Sequence, residues 1–378
     1  EMLKNVSQRL VTTVRESDSV FRYGSDEVVL ILNDIKHPQQ TRYIAEKLLA
    51  AVSTSRYVAG HDLSVTASLG ISVYPDDSSS AVELIKKAET AMHAIKDHGP
   101  NDFSFFIDEM NLRAQEQQSL ESAIRQALQR DEFILHYQPK LDLNSGQIVG
   151  AEALIRWHQP DHGWIYPSAF IPVAEDSGLI VPLSQWVLGQ ACEQARAWQA
   201  AGLPPICISV NISAIDFRQR NFVANLAAIL ERTGMEPRLL ELEITESVLM
   251  QNVEDTLITL RGIKTLGVRL SVDDFGTGYS SLSYLRRFPI DVLKIDQSFI
   301  RGLSNNSQDA QLISAIISLG KSLDLNIAAE GVETLEQLAF LKAHQCEEGQ
   351  GFLFSKAVAA DEFAQLLQTG HHSLIPGH

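Results

Sequence analysis

From about residue 132 onward, short apolar runs alternate with longer amphipathic ones, and this rhythm constrains the fold more than any other feature. The short runs have the length of buried strands, whereas the longer ones repeat their apolar residues every three or four positions, as helices do. Strand–helix alternation over about 240 residues is typical of a parallel α/β fold, and its extent matches a (β/α)8 barrel. We therefore predict this barrel, with a doubly wound sheet as the alternative. Because the first two strands follow each other without a helix between them, the eightfold pattern is expected to be imperfect there.

The same alternation predicts the individual elements of this region. The expected strands span residues 133–138, 148–157, 206–211, 239–245, 268–273, 292–295, 327–329 and 351–354. The expected helices span residues 183–201, 222–233, 253–266, 308–325, 335–344 and 361–367.

The first part of the chain, up to about residue 107, has a different sequence pattern, in which helical periodicity alternates with short β runs. Its expected strands span 28–32 and 63–73, the second interrupted by Gly70, and its expected helices span 44–52 and 81–96. Residues 108–129 are rich in Gln, Glu, Ala, Leu and Arg, a composition that favours one connecting helix. We therefore expect a first domain at 1–108, a linker helix at 109–130 and a barrel at 131–370.

The charge of the chain bears on its partners, since 31 Lys and Arg face 47 Asp and Glu and leave a formal net charge of −16. Binding to a nucleic-acid polymer draws on clustered basic residues, so this balance argues against such a partner. A small anion held through metal ions stays open, because an acidic pocket can also be a metal pocket. No apolar run approaches the roughly 18 residues that a membrane span needs, so we expect no membrane contact from this segment.

Cysteine usage and the chain start indicate the compartment. The start does not have the pattern of a signal peptide, and Cys192, Cys207 and Cys346 stand far apart without a CxxC pair. This spacing argues against a disulfide framework or a cysteine-built zinc site and fits a reducing compartment. We expect a cytoplasmic location, either alone or as the cytoplasmic part of a larger, membrane-anchored sensor protein.

Acidic residues recur at the ends of the expected strands, on the side opposite the apolar residues. Asp273 ends the run 268–273 on its inward side, and Glu243 lies opposite the apolar residues of 240–244. The same reading of the other strands adds Glu152, Arg156, Asn211, Lys294 and Glu330, and Asp274 directly follows Asp273. Since active-site groups of a barrel come from the C-terminal ends of several strands, we expect five acids, an amide and a lysine at one mouth.

One lysine and one arginine cannot neutralise five buried carboxylates, and each unpaired buried charge would cost several kcal/mol. Divalent metal is the simplest resolution, and oxygen ligands without His or Cys favour Mg²⁺ or Mn²⁺, with no organic cofactor. Two ions about 3.5–4 Å apart, bridged by an aspartate, clamp a phosphodiester during hydrolysis. The adjacent Asp273 and Asp274 suit such a bridge. The alternative is that these acids form satisfied salt bridges or helix caps scattered around the barrel.

The run EALIRW at 152–157 resembles the signature of the EAL family of cyclic di-GMP phosphodiesterases. Further motifs agree in order: YQP at 137–139, NIS at 211–213, EITES at 243–247, DDFGTGYSS at 273–281, KID at 294–296, EGVET at 330–334 and QGF at 350–352. The resemblance covers about residues 118–370 and rests on several motifs together. One departure is at the end, where the family's QGYxxxxP is replaced by QGFLFSKA at 350–357. Losing that Tyr hydroxyl and Pro is expected to change packing or binding but to remove no metal ligand.

What the resemblance implies is a (β/α)8 barrel with one antiparallel strand, acting as a homodimer, that opens cyclic di-GMP to linear pGpG with two Mg²⁺ or Mn²⁺ ions. It assigns one metal to Glu152, Asn211, Glu243 and Asp273, and the other to Asp273, Asp274 and Glu330. It assigns the attacking water and the stabilisation of negative charge to Lys294, and substrate contacts to Gln138, Arg156 and Gln350. It also assigns bracing of the loop 274–281 to Glu246, completion of the catalytic pocket to Glu333, and coupling between metal site and dimer to Gly276-Thr277-Gly278.

The first domain resembles the second half of a GGDEF diguanylate cyclase. The signature turn is GSDEV at 24–28, and SLGI at 68–71, YP at 74–75 and AETAM at 88–92 also agree. The chain begins after the family's first strand and first metal-binding aspartate, and Ser25 replaces the second glycine of the turn, where its Cβ would crowd a nucleotide phosphate. Diguanylate cyclase activity is therefore not expected from this chain. Arg15 and Asp18 have the spacing of the family's RxxD product-inhibition site, and with Asp26 and Glu27 they would form a regulatory site for GTP or cyclic di-GMP.

Three functions are compatible with these residues. The first is an active cyclic di-GMP phosphodiesterase whose GGDEF remnant is regulatory or structural. The second is a receptor that binds cyclic di-GMP without cutting it, a route that typically removes a metal ligand or the lysine. The third is an interaction scaffold, which gives the inward acids no role. Because all the acids, Asn211 and Lys294 are present, the sequence favours the enzyme.

Overall fold

The computed structural model describes residues 2–15, 17–35, 38–53, 56–58, 61–63, 66–96, 101–160, 163–276, 285–303 and 307–369. By internal contacts the chain divides into two compact units, Glu1–Ser119 and Leu120–His378. The boundary falls inside the helix Asp108–Ala127, which the sequence predicts over 108–129.

The first unit combines three further helices with three two-stranded sheets. The helices are Met2–Thr13, Pro38–Ser53 and Ala81–Lys96. The strands are β1 (Ser19–Arg22), β2 (Val28–Ile31), β3 (Arg56–Val58), β4 (His61–Leu63), β5 (Ser68–Ile71) and β6 (Asp102–Phe105). The pairs β1–β2 and β3–β4 are antiparallel, and β5–β6 is parallel.

The strand expected at 63–73 is shorter in the structure, where β5 covers only Ser68–Ile71 and residues 64–65 lie outside the described part of the chain. Gly70 sits inside β5 because the helix Ala81–Lys96 approaches its backbone closely. A Cβ at this position would lie 1.8 Å from the Ala88 carbonyl oxygen and 2.4 Å from the Met92 amide nitrogen. The glycine therefore marks a helix–strand contact and not a break between strands.

The second unit alternates strands and helices as the sequence predicts. Its strands are β7 (Phe133–Asp142), β8 (Ile148–Gln159), β9 (Gly163–Ile165), β10 (Cys207–Asn211), β11 (Leu240–Thr245), β12 (Arg269–Phe275), β13 (Val292–Ile295), β14 (Asn326–Ala329), β15 (Glu348–Gly349) and β16 (Val358–Ala359). Its helices are Pro167–Asp176, Ile180–Ala200, Ala214–Phe217, Phe222–Thr233, Glu246–Met250, Val253–Leu266, Gln297–Gly302, Ser307–Ser322, Leu335–Ala343 and Ala360–Thr369, with a 3-10 turn at Pro237–Leu239.

Eight of these strands close into a barrel in the order β7-β8-β10-β11-β12-β13-β14-β15, with β15 pairing back to β7. The strands from β8 to β15 run parallel to their neighbours, whereas β7 is antiparallel to both β8 and β15. This closure confirms the (β/α)8 barrel with one antiparallel strand and excludes the doubly wound sheet. The described helices contain no segment both long and apolar enough to cross a membrane.

The strand expected at 351–354 is wrong. Residues 351–354 form a turn, and the last barrel strand is the two-residue β15 just before it. The apolar Phe352 that suggested a strand is 59% exposed. The turn is held by hydrogen bonds from the Phe354 amide to the Gly351 carbonyl (3.1 Å) and from the Leu353 amide to the Val332 carbonyl (3.0 Å). The two residues of β15 are enough to close the barrel, because on β7 they pair only with Leu141 and Asp142.

Strand parity sets what faces the barrel interior. In β11 the apolar Leu240, Leu242 and Ile244 are buried in the layer between strands and helices, while Glu241 and Glu243 alternate with them. Because successive side chains of a strand point to opposite faces, both glutamates face the interior. Cys192, Cys207 and Cys346 are free thiols.

Candidate active site

At the C-terminal ends of the barrel strands, the interior is filled by charged side chains and not by the branched apolar residues usual in such barrels. Lys294 of β13 is 1% exposed, Glu243 of β11 is also 1% exposed, and Asp273 of β12 and Glu152 of β8 are buried. Burial of this many charges is tolerated only where each has partners, so the contacts define the site.

Lys294 is the centre of these contacts. Its ammonium pairs with the Glu243 and Glu330 carboxylates and lies 3.2 Å from Oδ1 of Asp273. Burial lowers the pKa of Lys294, but the three acids and Glu152 outweigh it and raise the pKa well above its ordinary value. Lys294 is therefore a permanent cation at neutral pH, held among three carboxylates from three different strands or strand ends.

Glu152 belongs to a second chain of contacts at the same mouth. Its Oε1 accepts a hydrogen bond from Asn211 Nδ2 (2.6 Å), and its Oε2 accepts one from Gln350 Nε2 (2.6 Å). Gln350 Nε2 also donates to Gln138 Oε1 (2.9 Å), and Gln138 Nε2 donates to the Ser355 carbonyl (3.0 Å). Thus Gln138, Glu152, Asn211 and Gln350, which come from four separate parts of the sequence, form one connected cluster.

Asp274 follows Asp273 in a left-handed backbone conformation, with φ of +53°. Its amide donates to Oδ1 of Asp273 (3.0 Å), and its carboxyl hydrogen-bonds to that of Asp296. Burial, the Asp273 charge and the Asp296 charge together raise the pKa of Asp274 to about 6. Asp296 is buried at the N-cap of the helix Gln297–Gly302. It belongs to the motif KID at 294–296, but the sequence analysis does not assign it to the site.

The acids at the mouth exceed the cations available to them. Burial and the neighbouring Asp273, Glu152 and Glu243 raise the pKa of Glu330 to about 8, although Lys294 opposes this. Burial and Glu243 likewise raise the pKa of Glu152. Raised carboxyl pKa values mean that negative charge here is only partly compensated, which is the condition that a bound cation relieves.

The donor set fits divalent metal. One carboxylate oxygen from each of Glu152, Glu243 and Glu330 lies within 4.8 Å of the others. Oε1 of Gln350, whose Nε2 donates to Glu152, is a buried side-chain oxygen without a hydrogen-bond partner among the described residues. Oxygen atoms of this kind are the ligands that Mg²⁺ and Mn²⁺ prefer.

A lysine that the sequence analysis did not assign, Lys140 of β7, also lies inside the barrel, 4% exposed. It contacts Ser209, Glu241 and Glu243, at 2.5, 3.0 and 2.6 Å. Burial raises the pKa of Glu243, but Lys140 and Lys294 outweigh it and hold that pKa at about 2. Strand parity alone would have placed both residues inside the barrel. Glu241 lies two residues before Glu243 on β11, and Lys140 lies two residues after Gln138 on β7, so each points to the same face as an assigned residue.

The remaining predicted residues have other hydrogen-bond and ion-pair partners. Arg156 is half-buried and donates from Nη1 to the Ile155 carbonyl (2.8 Å). Glu333 faces Arg301, 3.7 Å away, and Oε2 of Glu246 accepts from the Gly276 amide (3.0 Å). Residues 277–284, and with them most of the Gly276-Thr277-Gly278 loop, lie outside the described residues.

The predicted nucleotide residues of the first unit are engaged locally. Asp18 accepts from the Arg15 amide (3.0 Å) and the Asn33 amide (2.9 Å), and Asp26 accepts from the Ser25 hydroxyl (2.8 Å). Glu27 accepts through its carbonyl from the Tyr23 and Gly24 amides, closing the β1–β2 hairpin. An open groove of about 450 Å³ in this unit is lined elsewhere, by Arg42, Glu46, residues 102–105 and Ile107.

Two protein-family models match the chain, one over the barrel and one over the first unit. The family model for the EAL domain matches residues 121–357, and the model for the diguanylate cyclase GGDEF domain matches residues 1–102.

Curated proteins match over nearly the whole chain. Over 361 residues the chain is 43% identical to the bifunctional diguanylate cyclase/cyclic di-GMP phosphodiesterase MucR of Pseudomonas aeruginosa, covering 96% of this chain and 53% of MucR. It is 40% identical over 376 residues to the cyclic di-GMP phosphodiesterase NbdA of the same organism, covering 100% of this chain and 48% of NbdA. The chain thus spans about half the length of these curated relatives.

Solved structures agree on the barrel. A structure of PaMucR phosphodiesterase in complex with c-di-GMP superimposes with a TM-score of 0.63 at 45% identity, covering 65% of this chain and 99% of that one. The EAL enzyme Bd1971 in its cAMP- and cyclic-di-GMP-bound form gives a TM-score of 0.65 at 32% identity, covering 77% of each chain.

Proposed function

This chain belongs to the EAL family, with a GGDEF domain ahead of the barrel, and on that premise we propose that the barrel hydrolyses cyclic di-GMP to linear pGpG with two divalent cations. The observation that carries the proposal is the buried Lys294 shared by Glu243, Asp273 and Glu330 at the barrel mouth. Relatives named as cyclic di-GMP phosphodiesterases, among them PdeR of Escherichia coli at 35% identity, support the substrate.

The residues assigned to the cations are those with oxygen donors at the mouth. Glu152, Asn211, Glu243 and Asp273 would hold one ion, and Asp273, Asp274 and Glu330 would hold the other, which we propose to be Mg²⁺ or Mn²⁺. When bound, such ions polarise a phosphoryl oxygen and make a water molecule easier to ionise, so that no histidine base is required.

The chain's own groups have separate tasks in this proposal. Lys294 would orient the attacking water and offset the negative charge that develops on the phosphorus oxygens, since an ammonium buried in a low-dielectric site acts strongly on nearby charge. Gln138, Arg156 and Gln350 would bind the dinucleotide. Glu246 would fix the loop after Asp274 through the Gly276 amide, and Glu333 would act at the edge of the pocket.

Removal of metal tests this function directly. We expect purified protein to convert cyclic di-GMP to pGpG with Mg²⁺ or Mn²⁺, to lose turnover in EDTA, and to recover when either ion is returned. We expect Ca²⁺ to inhibit, because it takes more ligands in a looser geometry than the site's natural ion. Chromatography of the nucleotide products measures each case.

Two outcomes of that assay would contradict the proposal. Tight binding of cyclic di-GMP without turnover in either metal would show a receptor instead of an enzyme. Turnover that persists after thorough chelation would exclude the role assigned to the acidic cluster.

For the first unit we propose a structural or regulatory part and no diguanylate cyclase activity. Ser25 stands where the GGDEF signature has its second glycine, and Asp18 and Asp26 accept local hydrogen bonds. If GTP binds this unit and acts on the barrel, kcat or KM for cyclic di-GMP should change when GTP is added, as measured by varying the cyclic di-GMP concentration at saturating metal. Identical kinetics with GTP, with ATP as the nucleotide control, and without either would exclude GTP regulation.

A further inference from the structure

A second buried lysine lies below the predicted metal ligands, in a layer of the barrel that the proposed function does not use. Lys140, Ser209 and Glu241 come from β7, β10 and β11, and all three are buried. Ser209 and Glu241 are register partners on neighbouring strands, and their side chains hydrogen-bond at 3.1 Å. Glu243 connects this lower layer to the mouth, because its carboxylate contacts both Lys140 and Lys294.

Each N–H of the Lys140 ammonium has an acceptor. A lysine ammonium has three donors, and the three acceptors are Ser209 Oγ (2.5 Å), Glu241 Oε1 (3.0 Å) and Glu243 Oε1 (2.6 Å). Fully satisfied buried groups are rigid, because any rotation leaves a donor or acceptor without a partner. Lys140 therefore offers Glu243 a fixed point of attachment.

Glu243 in turn divides its carboxylate between the two lysines. Oε1 accepts from Lys140, and Oε2 accepts from Lys294. Two cations on different oxygens fix the plane of the carboxylate, which a single cation would leave free to rotate. The position of Lys294 among Glu243, Asp273 and Glu330 thus depends on a contact made one layer deeper in the barrel.

We propose that Lys140 is a positioning residue, which holds the Glu243 carboxylate in the orientation that places Lys294 for the reaction. This inference rests on the proposed phosphodiesterase function, because Lys140 acts on the reaction through Glu243, which contacts Lys294 and is also assigned to a cation. Lys140 does not itself contact the substrate in this scheme.

K140M alone would take from the buried Glu241 its nearer cation and leave it paired with Arg269, whose Nε lies 3.5 Å from Oε2 of Glu241. K140M/E241Q removes one positive and one negative charge together, so the net charge of the interior is unchanged. E241Q is the matched control, because Lys140 keeps its contacts to Ser209 and Glu243. We expect E241Q to retain wild-type kcat, and K140M/E241Q to lose about 10²-fold in kcat with KM for cyclic di-GMP little changed, as a small displacement of a catalytic group does.

A crystal structure of K140M/E241Q gives a readout that needs no turnover. We expect the Glu243 carboxylate to rotate and its contact with Lys294 Nζ to lengthen beyond about 3.5 Å, which is no longer a hydrogen bond. An unchanged Glu243–Lys294 contact, or a wild-type kcat in the double variant, would overturn the positioning role. An inactive wild-type protein would instead count against the proposed function, and the structure would still decide the role of Lys140.

Discussion

Replacement of Lys294 by methionine is expected to lower kcat for cyclic di-GMP by at least about 10²–10³-fold, the loss typical when one preorganised charge-stabilising donor is removed. Methionine has a similar length but no charge, so it fills the same space without contacting Glu243, Asp273 or Glu330 as a cation. Because Lys294 is assigned to the reacting water and phosphorus oxygens, the loss should fall on kcat more than on KM. Steady-state kinetics at saturating Mn²⁺ measures it.

The same substitution should make the fold more dependent on metal. Without Lys294, three carboxylates lose a shared cation, and breaking a buried pair in this way costs about 3–5 kcal/mol. We therefore expect Lys294→Met to unfold at a lower temperature than the wild type in EDTA, and added Mn²⁺ to restore more of its stability. Thermal unfolding with and without the ion measures both effects.

Lys47→Met is the matched control for that experiment, since Lys47 is exposed on the helix Pro38–Ser53 of the first unit. Its kinetics and its unfolding temperature should equal those of the wild type. A Lys294→Met protein with wild-type kcat would refute the central role of this lysine. If Mn²⁺ raises the unfolding temperature of Lys294→Met by no more than it raises that of the wild type, the acids around Lys294 do not hold the ion.

The sequence predicts the barrel well because parity and alternation are local properties. Glu243 and Asp273 could be placed inside from their own strands alone, since apolar neighbours fill the opposite face. The helices 222–233 and 253–266 are found with the predicted bounds for the same reason, because their apolar periodicity is complete within each segment. What local patterns give is the direction of a side chain relative to its own strand.

Lys140 shows what such patterns cannot give. On the parallel strands a later residue lies nearer the mouth, but β7 runs the other way, so its later residues lie deeper. The register pairs Gln138 with Glu152 at the mouth and Lys140 with Gly150 below it. The depth of Lys140, and hence its contact with Glu243, follows from strand direction and barrel closure. Both depend on pairing between residues far apart in the sequence.

Gly351 shows the same limit at the other end of the barrel, and it carries a strong effect of its own. Its backbone lies against Val332, and a Cβ at Gly351 would lie 2.1 Å from the Val332 carbonyl oxygen and 2.3 Å from the Val332 amide nitrogen. Both are backbone atoms, so the two segments must separate to accept any side chain. The Val332 amide donates to the Gln350 carbonyl (3.0 Å), and this bond would be strained or lost.

Gly351→Ala is therefore expected to reduce both stability and activity. Forcing a methyl group into packed backbone costs about 1–3 kcal/mol, which corresponds to a fall in unfolding temperature of about 2–4 °C for each kcal/mol in a domain of this size. The displaced segments carry Gln350, which binds Glu152, and Glu330, which binds Lys294. A shift of these residues should lower kcat by about 10²-fold even at temperatures where the protein is fully folded.

Gly202→Ala separates this effect from the general cost of replacing a glycine. Gly202 has a φ of +84°, and a Cβ there would meet no atom within 4 Å. Alanine at 202 should therefore cost about 1–2 kcal/mol of backbone strain and leave kcat unchanged. If Gly351→Ala and Gly202→Ala lose the same stability and both keep wild-type kcat, the close approach of Gly351 to Val332 does not position Gln350 and Glu330. Loss of activity in Gly351→Ala alone would show that the contact between the last two strand ends sets the geometry of the mouth.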